Sequence, residues 1–225
     1  VWGGTTDGSN SHLRTGGQYH PGTNTWLSPT TLTLAPSARY EHTAVWAGSI
    51  GMIVWGGEDV TFEINTGGRY DPEADTWAPT SLVSAPVRRA RHTAVWALSE
   101  MVVWGGSGPN TNPRPLNTGG RYNPITDTWV ATSLVSAPSA RVRHTAVLAY
   151  PHMVVWGGFD GTAVRTNTGG RYNLETNTWV ATSVVAAPSG RQDHKAVWAG
   201  GAMMVVWGGS SNGSSATSLN TGGRY

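Results

Sequence analysis

Short apolar runs, glycine pairs and polar turns alternate along the whole chain, and no stretch repeats its apolar positions at helical spacing. Met101-Val102-Val103-Trp104 is continuously apolar, the pattern of a strand buried on both faces. Ahead of it, His92-Thr93-Ala94-Val95-Trp96 is a second run of β-formers. Gly105-Gly106 ends the apolar run, where positive φ and close backbone approach are accessible. Tyr122 marks a third strand, Asn123-Pro124-Ile125-Thr126-Asp127 a hairpin turn, and Thr128-Trp129-Val130 a fourth strand.

This set of four strands recurs. Val-Trp-Gly-Gly appears with its tryptophan at Trp2, Trp55, Trp104, Trp156 and Trp207, at intervals of 49 to 53 residues. Thr-Gly-Gly-(Arg/Gln)-Tyr ends at Tyr19, Tyr70, Tyr122, Tyr172 and Tyr225, and Thr-Trp follows at Trp26, Trp77, Trp129 and Trp179. Arg-x-x-His precedes the first strand at Arg39/His42, Arg89/His92, Arg141/His144 and Arg191/His194. Four antiparallel strands per period of about fifty predict an all-β propeller with no helix longer than a turn. The repeat units span 1–38, 39–88, 89–140, 141–190 and 191–225, read as one propeller domain over 1–225. Segments 131–135 and 181–185 are so alike that recent duplication or design is expected.

With strands numbered 1 to 4 outward from the axis, the first unit supplies strands 2 to 4 and the last supplies strands 1 to 3. That gives 3 + 4 + 4 + 4 + 3 = 18 strands, with incomplete first and last blades. A propeller closes its last blade so that no sheet edge stays open. A fragment or circularly offset part of a ring is the expectation, with self-association that completes the open blades as the alternative.

The chain resembles the kelch-repeat family. The residues that carry the resemblance are the double glycines (Gly56-Gly57, Gly105-Gly106, Gly157-Gly158, Gly208-Gly209), the tyrosine before an Asp/Asn turn, the tryptophan seven residues later and the Arg-x-x-His entries. The second glycine pair, as in Thr118-Gly119-Gly120-Arg121, departs from the bulkier strand residues usual there and bears on the third strand's geometry. The resemblance implies a repeat architecture of four-stranded antiparallel blades and binding of partners on the face made by the 2–3 and 4–1 loops. Copper enzymes of the galactose-oxidase type share this kind of propeller, but their cofactor needs a cysteine linked to a tyrosine, and this chain has no Cys.

Composition narrows the function classes. Fifteen basic against thirteen acidic residues leave a formal charge of +2, which argues against nucleic-acid binding. With no Cys, thiol nucleophiles, zinc knuckles and Fe–S clusters are excluded. No apolar run approaches the roughly 18 residues of a spanning helix, so no membrane insertion is expected. Catalytic motifs, phosphate loops and metal-spaced clusters are missing, so no enzyme, cofactor or metal site is predicted. Asp7-Gly8 and Asp160-Gly161 read as turns, not calcium loops, and the Asn212-Gly213-Ser214 sequon is chance-level. The expected setting is bacterial and extracellular or cell-surface.

Strand direction places the entry to strand 1 and the exit from strand 2 at the same end of the disc. The loops there vary most between repeats (5–12, 58–64, 107–115, 159–165 and 210–215). The repeated Arg39, Arg89, Arg141, Arg191, His42, His92, His144 and His194 read as structural braces. Between them lie Tyr40-Glu41, Ala90-Arg91, Val142-Arg143 and Gln192-Asp193. Tyr40, Glu41, Arg91, Arg143, Gln192 and Asp193 are therefore the binding candidates, joined by Phe62 and Phe159 of the variable loops. Arg91 and Arg143 are expected to face solvent as the positive half of a charged ring, opposite Glu41 and Asp193. The tryptophans read as wedges between blades. The predicted function is a non-catalytic recognition scaffold for a protein or peptide. Alternatives are an extracellular glycan-binding or glycan-processing propeller and a designed or purely structural repeat protein.

Overall fold

A computed structural model describes residues 1–6, 11–109, 115–162, 165–201, 203–213 and 217–225. Strands β1 (Gly17–His20) and β2 (Thr25–Pro29) form an antiparallel pair. Three complete four-stranded antiparallel sheets follow. The first holds β3 (Thr43–Trp46), β4 (Met52–Trp55), β5 (Gly67–Asp71) and β6 (Thr76–Pro79). The second holds β7 (Thr93–Ala97), β8 (Glu100–Trp104), β9 (Gly119–Asn123) and β10 (Thr128–Ala131). The third holds β11 (Thr145–Ala149), β12 (His152–Trp156), β13 (Gly169–Asn173) and β14 (Thr178–Ala181). A three-stranded sheet, β15 (Lys195–Trp198), β16 (Met204–Trp207) and β17 (Gly222–Arg224), ends the series. A single turn of 3-10 helix spans Gly48–Ile50.

Each sheet is a meander of sequential neighbours, and β3, β7, β11 and β15 lie next to one another. The first strands therefore line the axis and the later strands step outward, as blades of a propeller do. Strand 2 is the core of each blade. Met101 and Val103 pack with Trp55, Tyr122 and Trp129 toward the preceding blade, while Val102 and Trp104 pack with Met153, Val155 and Trp179 toward the next. Successive side chains of a strand point to opposite faces, so burial on both faces demands the continuous apolar run seen in the sequence.

The described residues contain seventeen strands, one fewer than the repeat arithmetic expects. The difference lies at Val1-Trp2, which makes only the Trp2–Gly16 bridge and the bonds of Val1 to Gly17. Gly3 and Gly4 follow at φ 71° and 100°, the same conformation as the glycine pairs that end β4, β8 and β12. The first strands also begin one residue later than the β-formers suggest, because Arg91 adopts φ 56° immediately before His92.

The second glycine pair sits in a regular ladder: Gly120 pairs with Val103 on one side and Ala131 on the other. A Cβ on Gly120 would lie 2.6 Å from Cγ of Pro86, in the connection leading into the same blade's first strand. Pro36, Pro138 and Pro188 press on Gly68, Gly170 and Gly223 in the same way. The glycine thus makes room for a proline that caps the sheet, and the strand geometry is unbroken.

Candidate recognition face

The repeated arginines are buried in all four copies. Arg89 donates from Nε to the Val87 carbonyl at 3.0 Å and from Nη1 to the carbonyls of Gly105 at 2.9 Å and Thr118 at 2.7 Å. Its Nη2 donates to the Thr118 hydroxyl at 2.9 Å. The side chain thereby clamps both stems of its own blade's 2–3 loop. Its main chain faces the other way, with the Arg89 carbonyl accepting from the Gly57 amide of the preceding blade at 2.9 Å. Burial draws the Arg89 guanidinium down to about 9, and those of Arg39 and Arg141 to about 10, so all three stay cationic at neutral pH. The partners of Arg89 are carbonyls and a threonine hydroxyl, and no carboxylate is needed to satisfy this charge.

The histidines join blades directly. Nε2 of His92, His144 and His194 lies 2.8–2.9 Å from the hydroxyls of Thr43, Thr93 and Thr145 in the preceding blades. Each ring also meets a tryptophan of that blade edge-on, as His92 does Trp55 at 5.4 Å and 81°. Burial, reinforced by the adjacent arginine, pulls His42 and His194 down to about 4 and His144 to about 3. His92 moves in the same direction for the same reasons. All four are neutral at pH 7.

The variable residues lie on the outer side of this frame. Tyr40, Ala90, Val142 and Gln192 each form an antiparallel bridge to the start of the 2–3 loop, at Glu58, Ser107, Phe159 and Ser210. The next residues, Glu41, Arg91, Arg143 and Asp193, all adopt φ between 51° and 56°. This left-handed backbone lets them reach along the rim to the neighbouring blade. Arg91 pairs with Glu41, and Arg143 Nη1 lies 3.2 Å from Asp193 Oδ2. The rim is thus two mixed ion pairs, not opposed positive and negative halves. Nor are the arginines fully solvent-facing: the Arg91 side chain is 19% exposed and that of Arg143 37%. These four residues, with His42, His92 and His144, line a cavity of about 420 Å³ at the axis.

A second cavity of about 370 Å³ opens beside it, lined by Arg91, Val142, Arg143, Phe159, Arg165 and Gln192. The Arg165 guanidinium lies 4.6 Å from the Phe159 ring centroid and donates from Nε to Gln192 Oε1 at 2.9 Å. Gln192 Nε2 donates to Asp193 Oδ2 at 2.9 Å. Phe159, Arg165, Gln192, Asp193 and Arg143 are therefore one connected set drawn from two repeats. Gln192 itself is buried and holds its neighbours in place. Arg165 escaped the sequence reading as a named residue, although it ends a variable loop that the reading singled out.

The other candidates stand apart. Tyr40 stacks on His12 with centroids 4.6 Å apart. Phe62 is 59% exposed, with Arg88 5.2 Å from its ring, and lines neither cavity. Asp160 accepts from the amide and hydroxyl of Thr162, an Asx-type turn, and Asp59 does the same with Thr61. Asp7-Gly8 and Ser214 of the sequon lie outside the described residues, as do 110–114 and 163–164 of the variable loops. Among the described residues no three His, Asp or Glu side chains group as metal ligands, and no helix is long and apolar enough to cross a membrane.

Seven tryptophans wedge between blades as expected, namely Trp2, Trp55, Trp77, Trp104, Trp129, Trp156 and Trp179. Trp26, Trp46, Trp198 and Trp207 are exposed.

No curated protein matches the chain significantly. The family model described as Attractin/LZTR1 beta-propeller matches residues 1–168. Repeat motifs, meander blades around a common axis and this match agree, and the chain belongs to the kelch-type Attractin/LZTR1 beta-propeller family.

Proposed function

We propose that the chain is a non-catalytic recognition propeller that binds a protein or peptide segment across the face formed by its 2–3 and 4–1 loops. One observation carries this reading. At that face the arginines common to all repeats are buried, while the residues that differ between repeats, joined by three of the repeated histidines in one of them, line two adjoining cavities at the rim. A rigid frame presenting variable side chains is the arrangement by which loops serve recognition. The second cavity offers one aromatic ring and three guanidiniums, of which Arg143 and Arg91 already neutralise acids. It suits a segment that combines an apolar side chain with a carboxylate able to displace or share those pairs.

Peptide-display selection on the immobilised chain tests the reading. Selected peptides should lose at least tenfold in affinity on Phe159→Ala combined with Arg143→Ala, about 1.4 kcal/mol or more. The urea midpoint should stay close to that of the wild type, because Arg143 and Asp193 are both partly exposed and such pairs contribute little. Selection that yields no binder, or binders indifferent to this double variant, contradicts the proposal. The exposed Phe62 ring favours a second reading, in which an apolar sugar face stacks on it. Saccharide binding on a glycan array, abolished by Phe62→Ala, would establish that reading instead.

A further inference from the structure

Arg143 stands between the two cavities at the rim and lines both of them. Asp193 lines the axial cavity with it, and Phe159 lines the other. Asp193 Oδ2 accepts twice, from Arg143 Nη1 at 3.2 Å and from Gln192 Nε2 at 2.9 Å. The two donors are held differently. Gln192 is 2% exposed, and its Oε1 accepts from Arg165 Nε at 2.9 Å, so its amide is fixed at both ends. The Arg143 side chain is 37% exposed, and its bond to Asp193 is the longer one. If Asp193 swung out, the buried Gln192 amide would lose its acceptor, which costs more than parting an exposed ion pair. Arg143 is therefore the partner that moves, and Asp193 stays. The residues equivalent to Gln192 in the other repeats are Tyr40, Ala90 and Val142. Ala90 and Val142 carry no side-chain donor, and Tyr40 stacks on His12 instead.

We infer that Asp193 is the resident occupant of a carboxylate site, and that a carboxylate borne on an apolar group displaces it by drawing Arg143 into the cavity beside Phe159. The inference rests on the reading that this cavity binds a ligand; it adds which side chains select that ligand and which one opposes it. Phe159 supplies the apolar wall, with the Arg165 guanidinium 4.6 Å from its ring centroid. Arg143 supplies a planar pair of N–H groups that suits a carboxylate. Gln192 keeps Arg165 in place and keeps Asp193 satisfied once Arg143 has left. The internal acid thus limits affinity, because a ligand must take the arginine from a carboxylate already there. An ion pair this exposed is weak, so the competition costs roughly three- to fivefold and does not close the site.

Phenylacetate, which joins one ring to one carboxylate, is the probe. It is titrated at constant ionic strength and followed by the backbone amide shifts of Val142, Arg143, Phe159 and Gln192. Asp193→Asn keeps an oxygen acceptor for Gln192, suits the left-handed backbone at φ 55° and removes only the charge. It should bind phenylacetate roughly three- to fivefold more tightly than the wild type. Adding Arg143→Ala should abolish that gain, and the uncharged phenylacetamide should bind wild type and Asp193→Asn alike. Glu73→Gln, exposed in the turn between β5 and β6 on the opposite rim, changes the net charge equally and should leave phenylacetate binding unchanged. Binding that stays level or falls in Asp193→Asn overturns the inference. So does a gain that survives Arg143→Ala or is shared by Glu73→Gln, or a probe that binds neither form. Failure of peptide selection while these results hold would remove the protein-binding reading and leave the carboxylate site standing. Selected peptides that need Phe159 and Arg143 but bind Asp193→Asn no better would do the reverse.

Discussion

Arg89→Met is expected to lower the free energy of unfolding by roughly 2–4 kcal/mol, read as a lower urea midpoint with an unchanged slope. Arg89 is fully buried, and its guanidinium is the partner of the Gly105 carbonyl and the Thr118 hydroxyl. A methionine fills similar volume but leaves the buried Gly105 carbonyl, and the part-buried Thr118 hydroxyl, without this donor, which is where the cost arises. The Thr118 carbonyl keeps the Gly105 amide at 3.0 Å, so the loss falls short of the full set of bonds. Arg88→Met is the control: Arg88 rests on Phe62 at the surface, and its removal should change stability by less than about 0.5 kcal/mol. Equal effects of the two substitutions would show that the repeated arginine is not a brace.

Acid should unfold the chain well above the pH at which its carboxylates titrate. His42, His92, His144 and His194 have folded pKa values held below the ordinary 6.5 by burial and by the neighbouring arginines. As pH falls below 6.5 the unfolded chain takes up protons that the folded chain refuses, so stability drops until the folded values near 4, and near 3 for His144, are passed. Each fully buried site can contribute several kcal/mol across that window. Above about pH 7 the histidines contribute no further pH dependence. The depressed carboxylates Asp127 and Asp160 act lower: their stabilisation is present above 3.8 and is lost as pH falls through their lower folded values. An unfolding midpoint between pH 4 and 6 is therefore expected, bracketed by the unfolded value and those of His42 and His194. His144→Gln should flatten the dependence in that window. Stability that stays level from pH 7 to pH 4 would contradict the neutral, buried state of these rings.

The repeat was legible because its strongest signals are local and steric. A strand buried on both faces needs Met101-Val102-Val103-Trp104 to be continuously apolar, and the chain can leave that strand only through glycines at positive φ. The recurrence of Arg-x-x-His was legible for a related reason: its four copies keep equivalent hydrogen-bond partners, as the arginines do with the carbonyls of Gly56, Gly105, Gly157 and Gly208. What sequence could not convey depends on neighbours in space. Glu41 pairs with Arg91, and Asp193 with Arg143, through a left-handed backbone that has no signature in residue type. The contact of Arg165 with Gln192 joins residues 27 positions apart in different repeats. Trp26 and Trp207 read as equivalents of buried tryptophans, yet in the first and last sheets they are 61% and 60% exposed.

The central claim is that recognition takes place at the rim carrying the 2–3 and 4–1 loops. Amide hydrogen exchange with and without a display-selected peptide tests it most directly, because it reports every strand end at once. The account predicts slowed exchange at Phe159 and Asp160, at Val142 and Arg143, and at Gln192 and Asp193, with the opposite rim unchanged. Slowed exchange confined to the turn between β9 and β10 and the connection between β11 and β12, on the opposite rim, would contradict it.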